Sequence, residues 1–182
     1  MIFKETKLKG AYVIETQKLT DDRGFFGRSW CKNEFEEQGL NANIVQANLS
    51  YTKEKGTLRG LHYQVAPYSE TKAIRCFSGS IYDVIIDIRP DSPTFKQWIG
   101  VELSGENGLM LYIPEGFAHG FISLEDNTLI HYLNTAYYTP GAEGGIRYDD
   151  PAFNVEWPME PILISEKDKS QPPFQVPKSN FS

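Results

Sequence analysis

A chain of 182 residues, 40% of them hydrophobic and 13% aromatic, is long enough for one large domain with a substantial core. A formal net charge of −6 argues against a general nucleic-acid or membrane surface, while leaving room for a local cationic pocket that takes a phosphorylated small molecule. The chain has no apolar run long enough for a membrane helix and no signal-like N-terminus, and Cys31 and Cys76 are isolated thiols. The expectation is a cytoplasmic protein with reduced cysteines.

In chain order, strand signals recur at Ala11–Thr16, Ile44–Ser50, Thr57–Gln64, Ala73–Phe77, Ser80–Arg89, Trp98–Leu103, Met110–Ile113, Gly120–Leu124 and Thr128–Thr135. Gly, Pro, Asn and Asp separate them. Many short strands with this punctuation predict an all-β, antiparallel sandwich or barrel. The best helix candidate is Cys31–Gly39, carrying Phe35 and stopped by a glycine. The tail from about Lys169, rich in Pro, Ser, Gln and Lys, is expected to wrap the surface or fray. Within Ile81–Ile88, alternation puts Tyr82, Val84, Ile86 and Ile88 on a packed face. Ile81, Asp83, Ile85 and Asp87 fall on a mixed face suited to line a pocket or to meet solvent.

Chemistry concentrates in GTLRGLHYQ (56–64) and LYIPEGFAHGF (111–121), which hold two of the three histidines, His62 and His119. Arg59 lies close to the first, and Lys72 follows about one strand later. A neutral imidazole beside fixed cations suits proton abstraction from a carbon next to a carbonyl, with an anionic substrate held alongside. Strict alternation would put Arg59 and His62 on opposite faces of one strand. If the two act together, Gly60 between them must support a bulge or bend.

These motifs, with DDRGFFGRSW (21–30), QANLS (46–50), ETKAIRC (70–76), SIYDVIIDIRPDSPTF (80–95), AYYTP (136–140), the Glu143 turn and SEKD (165–168), resemble the dTDP-4-dehydrorhamnose 3,5-epimerases in order and over nearly the whole chain. The resemblance implies a cupin-like double-stranded jelly roll with a few short helices. It also implies a homodimer whose N-terminal strand joins the partner's sheet, and an enzyme that needs no metal or other cofactor. HYQ stands where general cupins carry the HxH metal-ligand pair, leaving only His62 and His119 of the usual set.

The resemblance further implies a nucleotide-linked 4-keto-6-deoxyhexose as substrate, epimerised at C3 and C5 through an enolate. His62 is then the base, Tyr132 the acid on the opposite face, and Lys72 the stabiliser of the C4 oxyanion. Asp168 of SEKD orients His62, with Asp83 as a local competitor for that role. Arg23, Arg59, His119 and Lys167 are expected to hold the pyrophosphate, and Tyr138 to stack on the base. Gln46, Asn48 and Glu143 would hydrogen-bond base, ribose or sugar, and some N-terminal contacts, Arg23 among them, would come from the partner subunit. The chain departs from the family pattern in three places. Arg28 stands where many relatives place a nucleotide-contacting glutamate, SETKAIR replaces AQGKLVR, and Leu133 replaces a frequent lysine. Two alternatives remain: an epimerase acting at a single carbon or on another nucleotide sugar, and a non-catalytic sugar-binding cupin.

Overall fold

The computed structural model describes residues 1–176. In chain order the elements are β1 (Ile2–Glu5), β2 (Tyr12–Glu15), β3 (Leu19–Asp21), β4 (Gly24–Phe26), α1 (Lys32–Glu37), β5 (Gln46–Thr52), β6 (Thr57–Gln64) and β7 (Lys72–Ser78). They continue with β8 (Ser80–Asp87), β9 (Trp98–Ser104), β10 (Met110–Ile113), β11 (Phe117–Ser123), β12 (Thr128–Asn134), β13 (Glu143–Gly145), β14 (Leu163–Ile164) and α2 (Glu166–Lys169). One sheet runs β1-β2-β10-β7-β12-β5, the other β13-β6-β11-β8-β9 with β14 added parallel to β6, and β3 and β4 form a separate hairpin. The two sheets stack as a jelly roll.

The interior face of the sandwich divides into two ends. One is filled by Ile74, Cys76, Ile81, Ile85, Leu103, Phe117, Phe121 and Ile130, all buried. The other end stays open and carries the polar residues described below. Residues 146–174 cover the outer face of the second sheet, where Ile146 and Phe153 pack on Leu61, Val84, Ile86 and Ala118. Helix α1 covers part of the first sheet's outer face, with Phe35 on Ile14, Ala73, Met110 and Tyr112. Burial at this scale, roughly 1.5–3 kcal/mol for each large apolar side chain, is what holds the sheets in register.

All nine expected strands form. The largest boundary difference is β11, which starts at Phe117; FAHGFIS is buried on both faces, so alternation gives no sign of its start. Helix α1 is shorter than Cys31–Gly39, because Cys31 holds the extended N-cap position and Gly39 takes φ +71° to end the turn. The sequence pattern missed β1, β3, β4, β13, β14 and α2, which are two to four residues long and too short for a period to register. Strand β8 buries both faces. Tyr82, Val84 and Ile86 pack outward under the 146–174 segment, while Ile81, Asp83 and Ile85 point inward, so the mixed face is not a solvated one.

Beyond Lys169 the chain lies along the second sheet. The Phe174 N–H donates to Asp150 Oδ2 at 2.8 Å, and its ring meets Phe153 at 4.8 Å. The part of the expected wrapping or frayed tail at 177–182 lies outside the described residues. Among the described residues, no helix is long and apolar enough to cross a membrane. Cys76 is buried, and burial pushes its thiol up to about 11, which makes it an inert core residue.

Candidate active site

The irregularity anticipated at Gly60 is present. The β6–β11 register shifts between His119 and Phe121, so that His62 faces His119 and Arg59 faces Phe121. Gly60 sits at φ +118°, and a Cβ there would lie 2.5 Å from the Gly120 Cα and 2.8 Å from the His119 carbonyl oxygen. Only glycine fits that approach. The shift turns Arg59 and His62 to the same interior side, where both line one cavity of about 610 Å³. Lys72, His119, Tyr132, Lys167 and Asp168 line it as well.

The bulge also frees a backbone donor. The Gly60 N–H donates to Asp168 Oδ2 at 3.2 Å, while Asp168 Oδ1 meets His62 Nε2 at 2.6 Å. Asp168 is delivered by α2, a single turn capped by Ser165, whose Oγ accepts from the Asp168 N–H at 3.1 Å. Burial alone would push the Asp168 carboxyl up. The contacts from His62, Gly60 and Ser165 more than offset this and hold it below the ordinary aspartate range. Asp83, the competing orienter, is committed elsewhere, for its Oδ1 meets His119 Nε2 at 2.6 Å. Asp168 is therefore the carboxylate on His62.

Tyr132 projects from β12 on the facing sheet, so the cavity has His62 on one wall and Tyr132 on the other. Burial and the nearby Asp83 charge push the Tyr132 phenol far up, opposed only in part by Arg59, so it stays protonated at neutral pH. Its ring meets His119 edge-on at 6.1 Å. The neighbouring His131 points to the outer face and stacks on Phe77 at 4.9 Å. Lys72, on the same sheet as Tyr132, pairs with Glu70 at 3.1 Å.

The remaining expected residues divide. Glu143, on β13, pairs with Lys167 at 3.1 Å and lines an adjoining recess with His62 and Lys167. Gln46 and Asn48, on β5, hydrogen-bond each other, and Gln46 accepts from the N–H of the exposed Tyr138 at 3.2 Å. Arg23 and Arg28 do not reach this chain's cavity. Arg23 pairs with Asp21 on the exposed β3–β4 hairpin, and Arg28 pairs with Glu34 beside Met1 and Gln17. Sequence reasoning missed Asn134 and Glu70. Asn134 lies two residues beyond Tyr132 on the same strand face, so alternation would have found it, but Glu70 precedes its strand and carries no periodic signal. Among the described residues, no group of three or more His, Cys, Asp or Glu side chains is placed to hold a metal ion.

A cavity with an oriented imidazole on one wall, a neutral phenol on the other and cations between them can move a proton off one face of a carbon acid and onto the other. Known proteins resemble this chain over nearly its whole length. A family model described as dTDP-4-dehydrorhamnose 3,5-epimerase matches residues 5–176. A dTDP-4-dehydrorhamnose 3,5-epimerase from Salmonella typhimurium is 43% identical over 174 residues, covering 94% of this chain and 94% of the relative. The crystal structure of the Bacillus anthracis dTDP-4-dehydrorhamnose 3,5-epimerase, with TDP and PPi bound, superposes with a TM-score of 0.92 at 42% identity, covering 95% of this chain and 99% of that one. That of the Legionella pneumophila epimerase in complex with dTDP-4-keto-L-rhamnose gives 0.88 at 41% identity, covering 93% and 90%. By family match, identity over nearly full length and shared fold, the chain belongs to the dTDP-4-dehydrorhamnose 3,5-epimerase family.

Proposed function

We propose that the protein inverts C3 and C5 of dTDP-4-keto-6-deoxy-D-glucose to give dTDP-4-keto-L-rhamnose. The observation that carries this reading is the placement of the His62–Asp168 pair and the protonated Tyr132 on facing walls of one cavity. The C4 carbonyl acidifies the C3 and C5 protons, because the carbanion delocalises into an enolate. With Nε2 held by Asp168, the ring nitrogen open to a carbon-bound proton is Nδ1 of His62, and Asp168 stabilises the resulting imidazolium. Lys72 faces the developing C4 oxyanion, an interaction stronger in the transition state than in the ground state. Tyr132 then delivers its proton from the opposite side, which inverts the centre. No oxidation state changes, so the chemistry needs no redox cofactor.

The pyrophosphate falls to Arg59 and Lys167, and the nucleoside to the rim formed by Gln46, Asn48, Tyr138 and Glu143. Arg23 and Arg28 complete the nucleotide site from the other subunit of a homodimer of single-domain chains that meet through their N-terminal segments, although β1 itself pairs with β2 of its own chain. The exposed Leu19, Phe25 and Phe26 of the β3–β4 hairpin, and the exposed Leu49 and Tyr51 on edge strand β5, support such an interface. A cytoplasmic location fits the free thiols. Proton NMR of the keto sugar incubated with the protein tests the reading. Ring couplings of the L-rhamno product are expected, inversion at one carbon would select a single-centre epimerase, and dTDP binding with an unchanged sugar would select a binding protein.

A further inference from the structure

Among the reactive groups of the proposed mechanism, Lys72 has the most flexible side chain. A lysine is a point charge on a flexible four-carbon stem, and about 2 kcal/mol of rotamer entropy opposes holding it in one place. Here the stem is largely buried, and the ammonium is seated on Glu70 Oε1 at 3.1 Å, with the two side chains 13% and 12% exposed. Glu70 is itself fixed, since the Asn134 Nδ2 donates to its other oxygen at 2.8 Å. Asn134 is buried and lies directly opposite Lys72 in the β7–β12 register.

The contacts extend outward without a break. Asn48 Nδ2 donates to Asn134 Oδ1 at 3.4 Å, Gln46 Nε2 donates to Asn48 Oδ1 at 3.2 Å, and the Tyr138 N–H donates to Gln46 Oε1 at 3.2 Å. The polarity of this chain of amides follows from its inner end. An ionised carboxylate only accepts, so Asn134 must turn its NH₂ toward Glu70 and its oxygen toward Asn48, and each amide further out is oriented in turn.

We propose that Glu70 is a positioning residue for Lys72, holding the ammonium on the cavity wall from a seat that Asn134 fixes. One of the three ammonium hydrogens goes to Glu70, which leaves two for the developing oxyanion. The inference rests on the oxyanion role given to Lys72 above, so its test must separate the two.

The experiment measures kcat and KM for dTDP-4-keto-6-deoxy-D-glucose, Kd for dTDP, and Tm, in wild type, Glu70→Ala, Glu70→Gln and Lys72→Ala. Glu70→Ala is expected to lose roughly 10- to 100-fold in kcat, the cost of a misplaced catalytic group, while Kd for dTDP stays within about threefold. Glu70→Gln, which keeps an oxygen for the ammonium, is expected to recover most of that loss. Lys72→Ala should fall at least as far as Glu70→Ala. Wild-type kcat in Glu70→Ala would overturn the inference. So would equal losses in the Ala and Gln variants, or a kcat loss matched by equal weakening of dTDP binding. Full activity in Lys72→Ala would remove the oxyanion role and the inference with it. Wild type that binds dTDP but never turns over the sugar would overturn both this inference and the proposed function.

Discussion

The His62–Asp168 and His119–Asp83 pairs use the same atoms at the same 2.6 Å separation, and the two histidines face each other across neighbouring strands. Their surroundings differ. The His62 side chain is 38% exposed and opens into the cavity, whereas that of His119 is 5% exposed. Both oxygens of Asp168 are engaged, one by the ring and one by the Gly60 N–H, while Asp83 Oδ2 is buried without a partner. A base must be reachable by substrate and must have its charged form supported, and only the first pair meets both conditions. The second pair is a fixed part of the wall that carries negative charge close to Tyr132 and helps keep the phenol protonated. In the proposed reaction the same two residue types thus divide into a working pair and a supporting one, according to what surrounds them.

Breaking each pair tests that division. Asp168→Asn is expected to cut kcat by about 10²-fold or more with a modest change in Tm, because the ring loses both its orientation and the partner of its imidazolium. Asp83→Asn should cost less than about tenfold in kcat and show itself mainly as lower stability, roughly 1–3 kcal/mol, since it disturbs a fully buried hydrogen bond. Steady-state kinetics and thermal melts on both variants decide the point. A larger kcat loss in Asp83→Asn than in Asp168→Asn, with both folded, would reverse the assignment.

The smallest expected effect sharpens the electrostatic part. The folded Asp168 carboxyl lies below its unfolded value of 3.8, so the stability it contributes is present above that value and is lost as pH falls through the folded value. The Tm gap between wild type and Asp168→Asn should therefore hold near neutrality and close below about pH 4. A gap unchanged from neutral pH down to about pH 3 would mean that the carboxylate charge is not what Asp168 contributes.

The strands that build the cavity were legible because they alternate or carry long apolar runs, and Gly60 between Arg59 and His62 announced the one break in alternation that the site requires. The partner of His62 was not legible from pattern. Asp168 lies 106 residues away on a one-turn helix, and only the resemblance pointed to it over Asp83, which shares a strand with core residues. The hairpin β3–β4 was invisible because all six of its residues are exposed, so no buried face imprints a period on them. Glu70 shows the same limit inside the site. Its partner Lys72 is two residues away, but the contact arises from the turn entering β7 and from Asn134 on β12, not from any spacing.

In the proposed reaction, proton removal belongs to His62 and proton delivery to Tyr132. The most direct measurement follows deuterium entry at C3 and C5 of dTDP-4-keto-6-deoxy-D-glucose in deuterated water by NMR, in wild type, His62→Ala and Tyr132→Phe. Wild type should exchange and invert both carbons, and His62→Ala should lose exchange by about 10²–10⁴-fold. Tyr132→Phe should still exchange, but without inversion, because the base returns the deuteron to the face it came from. Exchange that survives in His62→Ala, or that disappears in a folded Tyr132→Phe, would contradict the assignment.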